Sequence, residues 1–306
     1  MSTHHHHHHD HKKHSAQRAY GIALGVTFAY AIVEAAGGVW SGSLALVSDS
    51  GHMFSDALSL ALAAAAARLA QRPVGHRHSY GWARAEVIGA LLNGLLMMAI
   101  VIWLVVEAVQ RLLHPQPVEA LGVLSIAFVG LLVNAGVAYV LGHSEDSLNR
   151  RAALLHVLGD LVSSLAALIA GAVIYYTGWM TIDPILSLVI GGLILMSTLN
   201  LLRETLHVLM EGVPHAMDFR SIGSALATIP GVKRVHDLHV WTIASSRIAL
   251  SAHLEIAPLA EWPRILHDSR ELLHERFGIE HVTLQPEDHH AAHHTVKIWP
   301  SGRGKQ

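Results

Sequence analysis

The chain has 306 residues, 52% of them hydrophobic and only 14% charged, with a mean hydropathy of +0.39; this is the composition of an integral membrane protein carrying a modest soluble part. It has no cysteine, which excludes disulfides, thiolate metal sites and thiol catalysis. The formal net charge of -2 gives no argument for a nucleic-acid partner, and the 26 histidines are the compositional outlier.

The chain opens on His4 to His9, Asp10, His11, Lys12, Lys13 and His14, within a polar tail over residues 1–19. Two readings of the tail stay open. Six consecutive histidines read as a purification tag, or as a native metal-binding tract, since Asp10, His11 and His14 continue the theme and no Gly/Ser linker follows. No cleavable signal peptide is expected, because the polar start runs to Arg18 and the first apolar segment is long enough to span a bilayer.

A transport domain of six transmembrane helices is expected over 20–211. Six stretches reach the ~20 apolar residues that a hydrocarbon core requires. They lie near Tyr20 to Val39, Leu44 to Ala70, Ala85 to Leu113, Ala120 to Leu141, Arg151 to Thr177 and Pro184 to Leu206. An even number of spans puts both termini on one side. Lys12, Lys13 and Arg18 precede the first span, Arg68, Arg72, Arg77 and Arg84 flank the second connection, and Arg150 and Arg151 flank the fourth. The opposite connections hold only Arg111 with His114, so the positive-inside rule places both termini in the cytoplasm.

Two copies of one pattern lie inside these spans, a His followed four residues later by an Asp: His52 with Asp56, and His156 with Asp160. On a helix, residues i and i+4 lie one above the other on the same face. Each pair therefore presents an imidazole and a carboxylate to one point, and two such helices facing each other give a cage of two nitrogens and two oxygens. That donor set suits tetrahedral Zn²⁺ better than Mg²⁺ or Ca²⁺, which favour six or more oxygens. Ionisable groups in a span cost about 2.5–3.5 kcal/mol each on insertion scales and mark a pathway or site by default. The topology makes the second and fifth spans antiparallel. Counting about 1.5 Å per residue from the flanking arginines, Asp56 lies several ångströms deeper than Asp160, so tilt or a water-filled cavity has to bring them together.

Other polar residues in the spans are Glu34, Ser48, Asp49, Asn93, Glu107 and Asn134. Asp49 stands three residues before His52, either as a partner that orients the imidazole or as a residue near the outer mouth. Gly37-Gly38 and the Ala61 to Ala67 run read as close helix packing.

From Gly212 to Glu287 the composition shifts to that of a small soluble domain. Phe219 to Ile229 reads as an amphipathic helix closed by Pro230-Gly231, Val235 to Ile243 and Arg247 to Ile256 alternate like paired strands, Pro263 to Phe277 is helical, and His281 to Pro286 is a third strand. The order α-β-β-α-β is expected to form a ferredoxin-like α+β unit with its helices on one face of the sheet. So short a domain has a limited core, which favours docking against a second copy. The stretch 288–306, with His289, His290, His293 and His294, is polar and expected to be disordered.

The run from Ser43 to Asp56 (SLALVSDSGHMFSD), the loop Tyr80 to Glu86 (YGWARAE), the run Ala152 to Asp160 (AALLHVLGD) and His236 to Trp241 (HDLHVW) resemble the cation diffusion facilitators. The likeness is to the bacterial zinc-efflux branch and to the animal zinc transporters that share its His/Asp pairs, and it covers the chain from about Gly21 to Glu287. The resemblance implies a homodimer of six-helix protomers with cytoplasmic metal-binding domains, exchanging cytoplasmic Zn²⁺ for external H⁺. It places the transport site on His52, Asp56, His156 and Asp160, and cytoplasmic metal ligands on His236, His253 and Glu287, with His239 and His281 nearby. The alternative for the cytoplasmic residues is surface histidines on a dimerising domain. Some relatives carry a loop site made of an acid and two histidines. Here His78 matches one, but Trp82 and Gly75 stand where the other His and the acid belong, so His76 and His78 are expected at most to pass ions along a vestibule.

The function expected on these grounds is Zn²⁺/H⁺ antiport in the bacterial inner membrane by alternating access, with no enzymatic step and no cofactor. Zn²⁺ is then the substrate and, in the cytoplasmic domain, a regulatory ion. Two other classes compete. A membrane-embedded zinc hydrolase needs an open coordination position and a general base, as in His-Glu-x-x-His, and that motif is absent. A metal sensor anchored by its spans leaves the paired intramembrane ligands unexplained.

Overall fold

In hydrocarbon a backbone must satisfy its own hydrogen bonds, so long apolar runs become helices. The computed structural model describes residues 25–70, 78–142, 148–244 and 247–288. The expected N-terminal tail, the loop positions Gly75 and His76, and the tail after Asp288 lie outside them. By contact the chain divides into two units, one of Met1–Gln71 with Ile88–Thr205 and the other of Arg72–Val87 with Leu206–Gln306.

The first unit is built of helices. A helix over 25–41 (α1) is followed by α2 (Leu44–Ala70), α3 (Ala85–Leu113), α4 (Ala120–Gly142), α5 (Leu148–Thr177) and α6 (Ile182–Leu209). Among the described residues four helices are long and apolar enough to cross a membrane: α3, α4, the stretch of α5 from His156, and α6. The helix α1 is described only from Gly25, and α2 carries Ser48, Asp49, Ser50, His52, Ser55 and Asp56 within a few turns. Both α5 and α6 run past the expected spans, to Leu148 and Leu209. A helix closes its hydrogen bonds locally and so continues beyond the apolar stretch.

Small interlocking clusters hold these helices together. Ala45 and Leu46 of α2 pack on Val123 and Ala127 of α4 and on Ala167 and Ile174 of α5, while Met97 and Val101 of α3 meet Ile190 and Ile194 of α6. Tyr30 of α1 lies against Met53 of α2 and donates to the carbonyl of Ile126 at 3.0 Å. Gly130 makes this approach possible, since a Cβ there would lie 2.1 Å from the Tyr30 hydroxyl. Leu92, Ile102, Trp103, Leu132 and Leu193 remain exposed, an apolar exterior suited to lipid.

The second unit runs α7 (Phe219–Ala227), β1 (Val232–Ala244), β2 (Arg247–Ile256), α8 (Trp262–Phe277) and β3 (His281–Asp288). Asp218 caps α7 by accepting from the Arg220 amide at 3.0 Å. The helix α8 ends at Gly278, whose φ of 65 is the left-handed conformation that terminates helices. The sheet order is β1-β2-β3, with β1 antiparallel and β3 parallel to β2. Along β2, Leu250, Ala252, Leu254 and Ile256 point to one face and are fully buried with Ile222 and Leu226 of α7 and Ile265 and Leu273 of α8. Ser251, His253 and Glu255 point to the other face, as the period of two requires. The expected elements differ from these mainly at their ends: α7 stops two residues early, and β1 begins three residues sooner.

Because one small cluster serves both helices and the sheet, Leu254→Ala removes a central contact without room to relax. We expect it to cost about 2–5 kcal/mol, a large part of a small domain's margin, read from urea unfolding followed by the fluorescence of Trp241 and Trp262.

Candidate metal centre

The two His/Asp pairs come together. The Nε2 of His156 lies 3.2 Å from Asp56 Oδ2 and 3.6 Å from Asp160 Oδ2, and the Nε2 of His52 lies 3.5 Å from Asp56 Oδ2. The two imidazole rings are 5.8 Å apart between centroids and tilted by 59°. Donor atoms of His52, His156 and Asp160 all fall within 4.8 Å of one another. The depth difference counted along the sequence therefore does not separate the donor atoms. Asp160 is almost wholly buried, at 2% exposure, whereas His156 is open on one side. Among the described residues, a buried carboxylate oxygen of Asp56, one of Asp160 and the Nδ1 of His52 have no hydrogen-bond partner. A cluster of unpartnered lone pairs is costly unless a cation or protons satisfy it.

Among the described residues no hydrogen bond joins Asp49 to His52, and the Asp49 carboxyl lies beside that of Glu34. Around the helix Asp49 and Asp56, seven residues apart, lie within about 20° of each other, but they are about 10 Å apart along it, with His52 between their levels. Elsewhere in the spans Ser55 donates to Asn93 Oδ1 at 3.2 Å, and Asn134 donates to Ser164 at 3.2 Å. In the loop, His78 stacks obliquely on Trp82 with centroids 4.7 Å apart and, among the described residues, joins no group of three metal-binding side chains.

A second cluster forms on the open face of the sheet. His236 and His253 are register partners on β1 and β2, and Glu287 pairs with Glu255 across β2 and β3, two residues along from His253. Strand alternation thus brings all three side chains to one face. Glu287 accepts from His236 Nε2 at 2.9 Å and from His253 Nδ1 at 2.7 Å. The donor atoms lie within 4.8 Å of one another. A bulge between His236 and His239, with Asp237 at a φ of 49, keeps His239 on the same face, where its Nε2 lies 3.1 Å from Asp237. His281 is elsewhere, at the far end of β3 beside Tyr80, with ring centroids 5.7 Å apart.

These geometries coincide with a sequence match over nearly the whole chain. The cation efflux transmembrane domain matches residues 21–210, and the cytoplasmic domain of cation efflux proteins matches residues 214–289. The chain belongs to the cation diffusion facilitator family. It is 38% identical over 268 residues to the zinc transporter ZitB of Escherichia coli (strain K12), covering 87% of this chain and 85% of that one. It is 38% identical over 265 residues to the cadmium, cobalt and zinc/H(+)-K(+) antiporter of Bacillus subtilis (strain 168), covering 84% and 85%. It is 36% identical over 274 residues to the metal cation efflux system protein CzcD of Cupriavidus metallidurans, covering 88% and 86%. As a cation diffusion facilitator the chain is a membrane transport protein and not an enzyme.

Sequence reading missed three acids that this facilitator places beside its polar clusters. Glu255 is buried and approaches His236 Nε2 at 3.7 Å, Asp237 approaches His253 Nε2 at 3.5 Å, and Asp183 is buried at the start of α6. For Asp237 a signal was present: the spacing His236-Asp237-Leu238-His239 breaks the alternation of β1 by one residue.

The cytoplasmic cluster carries a pH signature. Burial raises the Glu287 carboxyl, but the hydrogen bonds from His253 and His236 outweigh it and hold the group below the usual carboxylate range. A depressed carboxylate contributes stability that is fully present above its unfolded value, about 4.3, and lost as pH falls through the lower folded value. We expect Glu287→Gln to be less stable than the parent at neutral pH in the absence of metal, and to lose less on acidification. Thermal unfolding of the full chain between roughly pH 3 and 7 reads both effects; parallel profiles for the two proteins would exclude this linkage.

Proposed function

We propose that this facilitator exports Zn²⁺ from the cytoplasm in exchange for H⁺, through a site formed by His52, Asp56, His156 and Asp160. The observation that carries the reading is the convergence of two i,i+4 pairs from α2 and α5 on His156 Nε2, with carboxylate oxygens of both pairs within 3.6 Å. The names of the relatives agree with it: two include zinc, and one of these adds cadmium, cobalt and H(+) with K(+).

The chemistry follows from the donor set. Two carboxylates and two neutral imidazoles around Zn²⁺ make a formally neutral site, whereas the same site without cation or protons holds two negative charges in a low-dielectric medium. Protons taken up on the return step remove that cost, and protonating the ligands expels the metal. Export then needs two alternating conformations of the six-helix domain, 20–211, and no further machinery. The same reading makes 212–287 a ferredoxin-like cytoplasmic domain that dimerises and takes a regulatory Zn²⁺ at His236, His253 and Glu287. It also places the protein in the bacterial inner membrane with both termini in the cytoplasm.

Because the site has only four ligands, Asp160→Ala should abolish Zn²⁺ flux in proteoliposomes while the protein stays folded and inserted. Near-normal flux in a well-folded variant would sink the four-ligand site. A second outcome concerns selectivity. His52→Asp replaces an imidazole by a third carboxylate, which weakens the preference for Zn²⁺ and suits larger or harder ions. Competition flux with Zn²⁺, Cd²⁺ and Mn²⁺ at a fixed pH gradient should show Cd²⁺ and Mn²⁺ rising relative to Zn²⁺. An unchanged ranking would take selectivity away from His52.

A further inference from the structure

We infer that Asp183 is a positioning residue for the transport site: from the start of α6 its carboxylate pins the first turn of α2 and so sets where His52 and Asp56 stand. The inference rests on the transport site proposed above.

The first amides of a helix have no partner inside it. In α2 these amides are met from within and from far along the chain. Ser43 is its cap, with Oγ accepting from the Leu46 amide at 3.4 Å. The same hydroxyl donates to Asp183 Oδ1 at 2.6 Å; the Leu44 amide donates to Asp183 Oδ2 at 2.7 Å and the Ala45 amide to Oδ1 at 3.4 Å. Asp183 is fully buried, and a carboxylate at this point also complements the positive end of the α2 dipole. The turn before α2 is fastened twice more. Arg111 of α3 donates to the carbonyl of Gly42 and to Glu107, and the Glu119 amide donates to the carbonyl of Ser41 at 2.8 Å.

This anchor acts on the site because α2 is one unbroken helix from Leu44 to Ala70. His52 lies eight residues beyond Leu44, about 12 Å at the helical rise, and each residue of slip would turn its side chain by about 100°. Along its flank α2 packs on α5 much less extensively than α4 does. A cap that acts only on stability would lower the melting temperature and leave the metal geometry of the folded protein unchanged. A positioning residue lowers metal affinity in protein that is still folded.

The test uses the full chain in detergent, with the cytoplasmic cluster disabled by His236→Ala and Glu287→Ala, and Zn²⁺ as the probe in equilibrium titration. Asp183→Ala should weaken Zn²⁺ affinity by on the order of 10-fold, the lower end of the cost of losing a group bonded directly to a metal ligand, because Asp183 acts on the ligands through the helix. Asp183→Asn keeps one acceptor oxygen and should fall between. Ser43→Ala removes one of the three donors and should shift affinity less, in the same direction. Parental affinity in a monodisperse Asp183→Ala protein would overturn the inference. If that variant does not fold, parental affinity in both Asp183→Asn and Ser43→Ala overturns it instead. Asp160→Ala in the same titration separates the two readings: parental affinity there would remove the four-ligand site itself, whatever Asp183 does.

Discussion

A carboxylate in hydrocarbon must find a partner or lose its charge, and this constraint organises the helical unit. The structure meets it in three ways. Asp183 is met by two backbone amides and a hydroxyl at the end of a neighbouring helix. Asp160 faces the imidazole of its own pair, His156, and that of His52 from the other pair. Glu34 lies beside Asp49, with the Tyr30 hydroxyl 3.4 Å away. The first arrangement is closed and suits a joint. The second leaves lone pairs directed at one point, which is what a transported cation requires.

The cytoplasmic unit solves the opposite problem. Its polar groups have water within reach, and its shortage is apolar surface to bury. One face of β2 is therefore given entirely to the core, and the other face is free for chemistry. That division lets histidines and an acid gather on the sheet without entering the core, since residues at alternate positions never compete for the same side.

Much of this was legible in the chain itself, for reasons that differ by element. Four of the six expected spans, those on α3 to α6, are long and apolar enough to cross a membrane among the described residues; they were readable because apolar length is a local property, and the starts of α2, α3 and α4 fall where the hydropathy changes. The ends of α5 and α6 were not, because hydropathy marks where lipid stops and hydrogen bonding continues. The convergence of His52, Asp56, His156 and Asp160 was readable from two repeats of one spacing. Asp183 was invisible for the converse reason: an acid in the first turn of a helix reads as that helix's own favourable charge, and nothing local reveals that its partners lie some 140 positions earlier.

The bulge at Asp237 gives the cytoplasmic sheet an odd-even dependence. On its N-terminal side Val235 faces the core and His236 the polar cluster, while beyond it Val240 faces the core and His239 the polar side. Both halves of β1 keep correct inside-outside parity only because one residue is skipped between them. The strand therefore tolerates substitution at Asp237 far better than deletion. A lost residue would demand that either the histidine pair or the hydrophobic half change sides, and no single compensating replacement elsewhere in β1 restores both.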